Sequence, residues 1–216
     1  ETPAEDGAAA LQETGLPMLC LNTRRGDVAA GENGLCALPG REGEARESIK
    51  EAVHYACTIR AQAVPAMAGV TRAPAAADVL VRNLRFAADL AADTAKTILI
   101  EPLNPNDAPG YFYHTLAEAV AVIEAVGAPN VKLMFDCYHV GRTEGDVITR
   151  LGRVWDHVGH IQFASVPTRG SPDMGELRYD GVFDEIARLG GDRPLGAEYK
   201  PVGATDDSLG WMDGLR

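Results

Sequence analysis

Long hydrophobic runs are missing from this 216-residue chain, and no stretch approaches the roughly 20 apolar residues that a membrane-spanning helix needs. Cationic residues are scarce as well: 20 Lys and Arg stand against 31 Asp and Glu, a formal net charge of −11. Nucleic-acid binders gather Lys and Arg into a phosphate-neutralising patch, so this balance argues against a nucleic-acid partner and for a small-molecule one. The four cysteines, Cys20, Cys36, Cys57 and Cys137, include no C-x-x-C pair and no zinc-site spacing. They read as reduced, mostly buried thiols, and place the chain in the cytoplasm. No G-x-G-x-x-G run follows an apolar segment, which removes the dinucleotide-binding sheet from consideration. The opening "ETPAEDGAAALQETG" lacks the features of a signal peptide and has no initiator Met.

What the chain does have is a regular alternation. Strand-like apolar runs stand at "LPMLCLN" (16–22), "AQAVPAMAG" (61–69), "KTILIEP" (96–102), "VKLMFD" (131–136), "VGHIQFA" (158–164) and "PLGAEY" (194–199). Amphipathic, helix-like segments lie between them. One stripe carries Ile49, Val53, Ala56 and Cys57, another Val81, Leu84, Ala88 and Ala91. "TLAEAVAVIEAVG" opens with Thr115 and, three residues on, Glu118, a capping-box pattern, and closes on Gly127. Strand and helix repeated in this way predict a parallel α/β protein, and with the dinucleotide fold set aside, a (β/α)8 TIM barrel forming a single domain over residues 1–216. Only six strands can be counted where such a barrel needs eight. Helix-like sequence over 3–14 comes first, so the six are assigned as strands 3 to 8. Strands 1 and 2, about 40 residues, are expected N-terminal to this sequence, making it an N-terminally incomplete barrel.

The strand ends carry chemistry. Four successive strands end in or carry Glu101 ("ILIEPLN"), Asp136 ("LMFDCYH"), Gln162 ("GHIQFA") and Glu198 ("LGAEYKP"), and barrel enzymes work at that mouth. Side chains alternate along a strand, so Gln162 shares its face with His160, and Glu198 with Gly196 and Lys200, while Leu133, Phe135, Ile161 and Phe163 face the helices. Three carboxylates converging on one mouth repel unless a cation sits among them. An all-oxygen set of two Glu, one Asp and one Gln suits Mg2+ or Mn2+, whereas zinc would want more His or Cys. For any one of these acids taken alone, a helix N-cap or surface ion pair is the plainer reading; four in register are what favour a metal site.

Together, "GDVAAGENGLCALPGRE", "IEPLN", "FDCYHVGRTEGD", "GHIQFASVPTRG", "GELRYDGVF" and "EYKP" resemble the hydroxypyruvate isomerases of the xylose-isomerase-like barrel superfamily over nearly the whole chain. The resemblance implies Glu101, Asp136, Gln162 and Glu198 as metal ligands, with Glu101 and Glu198 also the acid-base pair. It implies interconversion of hydroxypyruvate with tartronate semialdehyde or, in a related branch, of a four-carbon 2-oxo acid. Departures from the family pattern fall at Leu21, Val28, Pro65, Thr168 and Ser171. Candidates for holding a small hydroxy-oxo acid are His160, Lys200, Arg169 and His139, with Arg25 a further loop cation. His54, Tyr55, Trp155 and Trp211 read as packing residues. A ketose 3-epimerase of the same superfamily and a non-catalytic ligand-binding barrel remain alternatives, and a homo-oligomer stays open.

Overall fold

A computed structural model describes residues 2–215. The chain divides into two compact units, Glu1–Leu133 and Met134–Arg216.

The first unit begins with helix α1 (Ala4–Thr14), which ends where Gly15 takes a left-handed conformation and donates its N–H to Leu11 O. Helix α2 (Glu42–Thr58) buries Ala45, Ser48, Ile49, Ala52, Val53 and Ala56. The expected stripe is present except at Cys57, which is exposed because it lies about 100° around the helix from Ala56. Strand β1 (Ala63–Pro65) pairs in parallel with β2 (Thr97–Ile100), Ala63 opposite Thr97, and β2 pairs in parallel with the start of β3 (Val131–Asp136), Ile98 opposite Val131. Between these strands run helix α3 (Ala76–Ala91), which buries Leu84, Ala88 and Ala91 as expected but leaves Val81 half-buried, and helix α4 (Leu116–Val126). The capping box at α4 forms in full: Thr115 accepts from the Glu118 backbone, Glu118 accepts from the Thr115 backbone, and Gly127 closes the helix in the left-handed region.

The run at 16–22 is a correction, since it makes one isolated bridge, Cys20 to Ala63, and no strand. The reason lies in β1. Ala63 donates to Leu19 O and accepts from Leu21 N–H, and Pro65 O accepts from Thr23 N–H, but Pro65 has no N–H to return a bond, so the ladder is cut. Five strands are therefore observed among the described residues where six were expected. Nearby, Gly34 has φ +116°, and a Cβ there would stand 2.4 Å from Met67 O; only glycine permits that approach.

In the second unit β3 runs directly into helix α5 (Cys137–Thr143). Helix α6 (Val147–Val154), strand β4 (Val158–Phe163), helix α7 (Tyr179–Arg188) and strand β5 (Leu195–Ala197) follow. Strands β4 and β5 are parallel, with Gln162 opposite Gly196. Phe163 turns toward α7, its ring 5.5 Å from Tyr179 and 5.3 Å from Phe183, and meets Trp211 edge-on at 5.7 Å. This is the outward role that the alternation assigns it. Trp211 also donates to Tyr199 Oη, and Trp155 carries Arg193 over its ring, so both tryptophans are packing residues. No described helix is long and apolar enough to cross a membrane. All four cysteines are free thiols; Cys36 and Cys137 are buried, Cys20 partly so, and Cys57 is exposed.

Candidate active site

Asp136 explains why an apolar strand ends in an acid. Strand β3 passes into α5 with no intervening loop, so the helix needs a cap at the strand's last residue. Asp136 Oδ1 accepts the Tyr138 N–H at 2.8 Å and serves as that cap. The other oxygen is left over. Oδ2 is buried and accepts no hydrogen bond; His139 Nε2 lies 3.6 Å from it and Arg169 Nη2 3.9 Å. Burial pushes the Asp136 carboxyl up to about 7; Arg169 opposes this and the Glu198 charge adds to it. The capping role and the site role thus fall to two oxygens of one side chain.

Arg169 is delivered by the turn after β4. Ser165 N–H donates to Gly170 O and Arg169 N–H to Ser165 O, while Ser165 Oγ meets Thr168 Oγ1 at 2.8 Å. The Arg169 backbone is left-handed, φ +57°, and its carbonyl accepts the Lys200 N–H. The guanidinium lies over the Tyr138 ring at 5.1 Å and donates to Glu198 Oε2 at 2.5 Å. It therefore links Glu198, just past β5, to Asp136 at the end of β3.

His160, Gln162 and Gly196 share one face, as the alternation requires: a Cβ on Gly196 would meet His160 Nε2 at 3.3 Å and Gln162 Cγ at 3.9 Å. Glycine at 196 leaves room for the imidazole. Desolvation lowers His160 to about 4, so its imidazole is neutral near pH 7. Gln162 Oε1 is buried with no donor.

The other expected residues are placed as follows. Glu101 follows β2 in the first unit and is half-buried. Its charge is one of the influences, after burial, that keep the phenols of Tyr111 and Tyr113 protonated. Glu198 is half-exposed, and Lys200 is exposed on the surface. Arg25 binds Asn33 on an exposed loop. Tyr55 donates to the Thr2 carbonyl, but His54 is exposed rather than packed. Two residues escaped sequence reasoning. Tyr138 is the platform beneath Arg169. Tyr179 donates to Ala164 O at 2.6 Å and accepts its N–H at 3.2 Å, fixing the start of the Arg169 turn. Both sit inside the quoted motifs "FDCYH" and "GELRYDGVF", yet nothing local distinguishes a phenol that supports a site from one that fills a core.

The site is rich in oxygen donors of the kind a hard divalent cation takes. Asp136 Oδ2 and Gln162 Oε1 are buried oxygens without donors, and such oxygens gain from a cation. Glu101, Asp136 and His139 each offer an atom that could ligate a metal ion. The donors within the second unit, Asp136, His139, Gln162 and Glu198, fit such an ion.

Comparison with known proteins gives a consistent picture. The family described as "Xylose isomerase-like TIM barrel" matches residues 1–215. A 2-oxo-tetronate isomerase of Cupriavidus necator is 44% identical over 218 residues, covering 98% of this chain and 83% of that protein. The hydroxypyruvate isomerase of Escherichia coli is 37% identical, covering 90% of this chain and 77% of that one. Among solved structures, an AP endonuclease, family 2, from Brucella melitensis superposes with a TM-score of 0.96 at 36% identity, covering 100% of this chain and 84% of that one.

Proposed function

Because the chain belongs to the xylose isomerase-like TIM barrel family, whose curated relatives are isomerases, we propose that it interconverts a small 2-oxo-3-hydroxy acid with its aldehyde isomer, hydroxypyruvate or a four-carbon homologue. The observation that carries this reading is the Arg169 fork joined to Glu198 and set beside the buried Asp136 carboxylate. A guanidinium at a cluster of oxygen ligands suits a short substrate that bears its own carboxylate, better than the uncharged ketose of a 3-epimerase.

In this reading Glu101 and Glu198 form the acid-base pair. One removes the proton from the hydroxyl-bearing C3 and the other returns a proton to C2 by way of an enediolate, while the C3 hydroxyl proton passes to the C2 oxygen. Glu101, Asp136, Gln162 and Glu198 would hold a divalent ion, Mg2+ or Mn2+, which would supply positive charge for the developing oxyanion. Arg169 receives the substrate carboxylate, neutral His160 hydrogen-bonds a substrate oxygen, and His139 steadies Asp136. Lys200 adds a point charge at the exposed rim.

The test is proton exchange. With Mg2+ or Mn2+ in deuterated water, the protein should convert hydroxypyruvate or a 2-oxo-tetronate and place deuterium at carbon, followed by NMR. Glu101→Gln and Glu198→Gln should each lower turnover by on the order of 10² to 10⁴ while weakening metal binding less, since an amide oxygen still ligates. A protein that binds the ion but neither turns over nor exchanges these acids would be a binding barrel instead.

A further inference from the structure

Asp136 and Glu198 are already bridged by one cation of the chain's own. Arg169 donates to Glu198 Oε2 at 2.5 Å and stands 3.9 Å from Asp136 Oδ2, the buried oxygen that accepts no hydrogen bond. A guanidinium cannot shed its proton, so it cannot make way for a second cation by neutralising itself; it has to move. Its backbone cannot follow, because Arg169 N–H is bound to Ser165 O and Arg169 O to Lys200 N–H. The side chain is one-fifth exposed and lies over the Tyr138 ring, so it borders solvent.

We propose that Arg169 is a resident counter-cation of the Asp136 and Glu198 pair, which competes with a divalent ion for these carboxylates and is passed to the substrate carboxylate when the ion enters. This rests on the metal-dependent reading above and adds a coupling to it: ion and carboxylate substrate each favour the other's binding through the movement of one side chain. An enzyme so built holds its ion loosely when no carboxylate ligand is present and firmly when one is.

The measurement is Mn2+ affinity, read from the free-ion EPR signal with the full chain, with and without pyruvate as an unreactive carboxylate probe. Arg169→Met keeps the stem over Tyr138 and removes the charge. It should bind Mn2+ alone about tenfold more tightly than the wild type, the scale of one charge-assisted hydrogen bond. Pyruvate should tighten Mn2+ binding more in the wild type than in the variant, because direct chelation is common to both and only the wild type has an arginine to displace. Arg169→Lys, which retains charge but not the fork, should fall between them and serves the same comparison if the Met variant does not fold. Equal or weaker Mn2+ binding by the folded variants would make Arg169 a scaffold and overturn the proposal alone. A wild-type protein that binds no Mn2+ would overturn the proposal together with the metal-dependent reading.

Discussion

Replacing Asp136 by Asn should change the pH dependence of stability more than stability itself. The folded chain holds this carboxyl at about 7 against an ordinary 3.8, chiefly through burial, with Glu198 adding to the rise and Arg169 opposing it. Between those two values the unfolded chain has released the proton and the folded chain has kept it. The folded state binds more protons there, so stability falls as pH rises, and the loss is complete once pH passes the folded value. The whole rise corresponds to about 4 kcal/mol, and the part between about pH 5 and about pH 7 to about 2 to 3 kcal/mol. The substituted amide retains the oxygen that caps α5 and cannot titrate. Carboxylates held low by their partners, Glu44, Glu118, Asp180 and Glu185, push stability the other way but are common to both proteins and cancel in the difference. Urea unfolding in EDTA at about pH 5, about 6, about 7 and about 8 should show the wild type losing about 2 to 3 kcal/mol relative to Asp136→Asn across the series. Mn2+ added in excess of the chelator at the alkaline end should stabilise the wild type more than the variant. Parallel profiles, with a difference constant to about 0.5 kcal/mol, would refute the argument that a buried, unrelieved carboxylate lies at the end of β3.

Tyr179→Phe keeps the ring against Phe163 and Phe183 but strands the buried Ala164 carbonyl and N–H. It should cost about 2 kcal/mol by thermal or urea unfolding, and should weaken substrate binding by loosening the turn that carries Arg169. Thr115→Ala breaks the capping box of α4 and should cost about 1 kcal/mol in the same assay with turnover unchanged, because the cap supports only its own helix.

Helices were legible because their signals are short-range. Thr115 and Glu118 are three residues apart, Gly127 follows the last turn, and the apolar stripes of α2 and α3 repeat within a few residues, so each signal lies wholly inside the segment it describes. Failures came at the edges of those signals. Cys57 fits a stripe read as a list of spacings but lies off its centre in angle, and Val81 is half-buried for a similar reason. The run at 16–22 looks like a strand by composition, yet whether it pairs was decided by Pro65, more than 40 residues away and unable to donate.

The sequence by itself determined the alternation of strands and helices, the caps, and the acids and amide that close successive strands: Glu101, Asp136, Gln162 and Glu198. These follow from periodicity and residue type, which neighbours along the chain supply. Only the tertiary structure decided how the site is wired. It assigned one oxygen of Asp136 to the α5 cap and left the other buried. It made Gly196 the space for His160, and brought Arg169, 33 residues along the chain, to the same carboxylate. A side chain's burial and partners depend on what folding brings against it from distant segments, and the charge state of Asp136 and the position of Arg169 depend on nothing else.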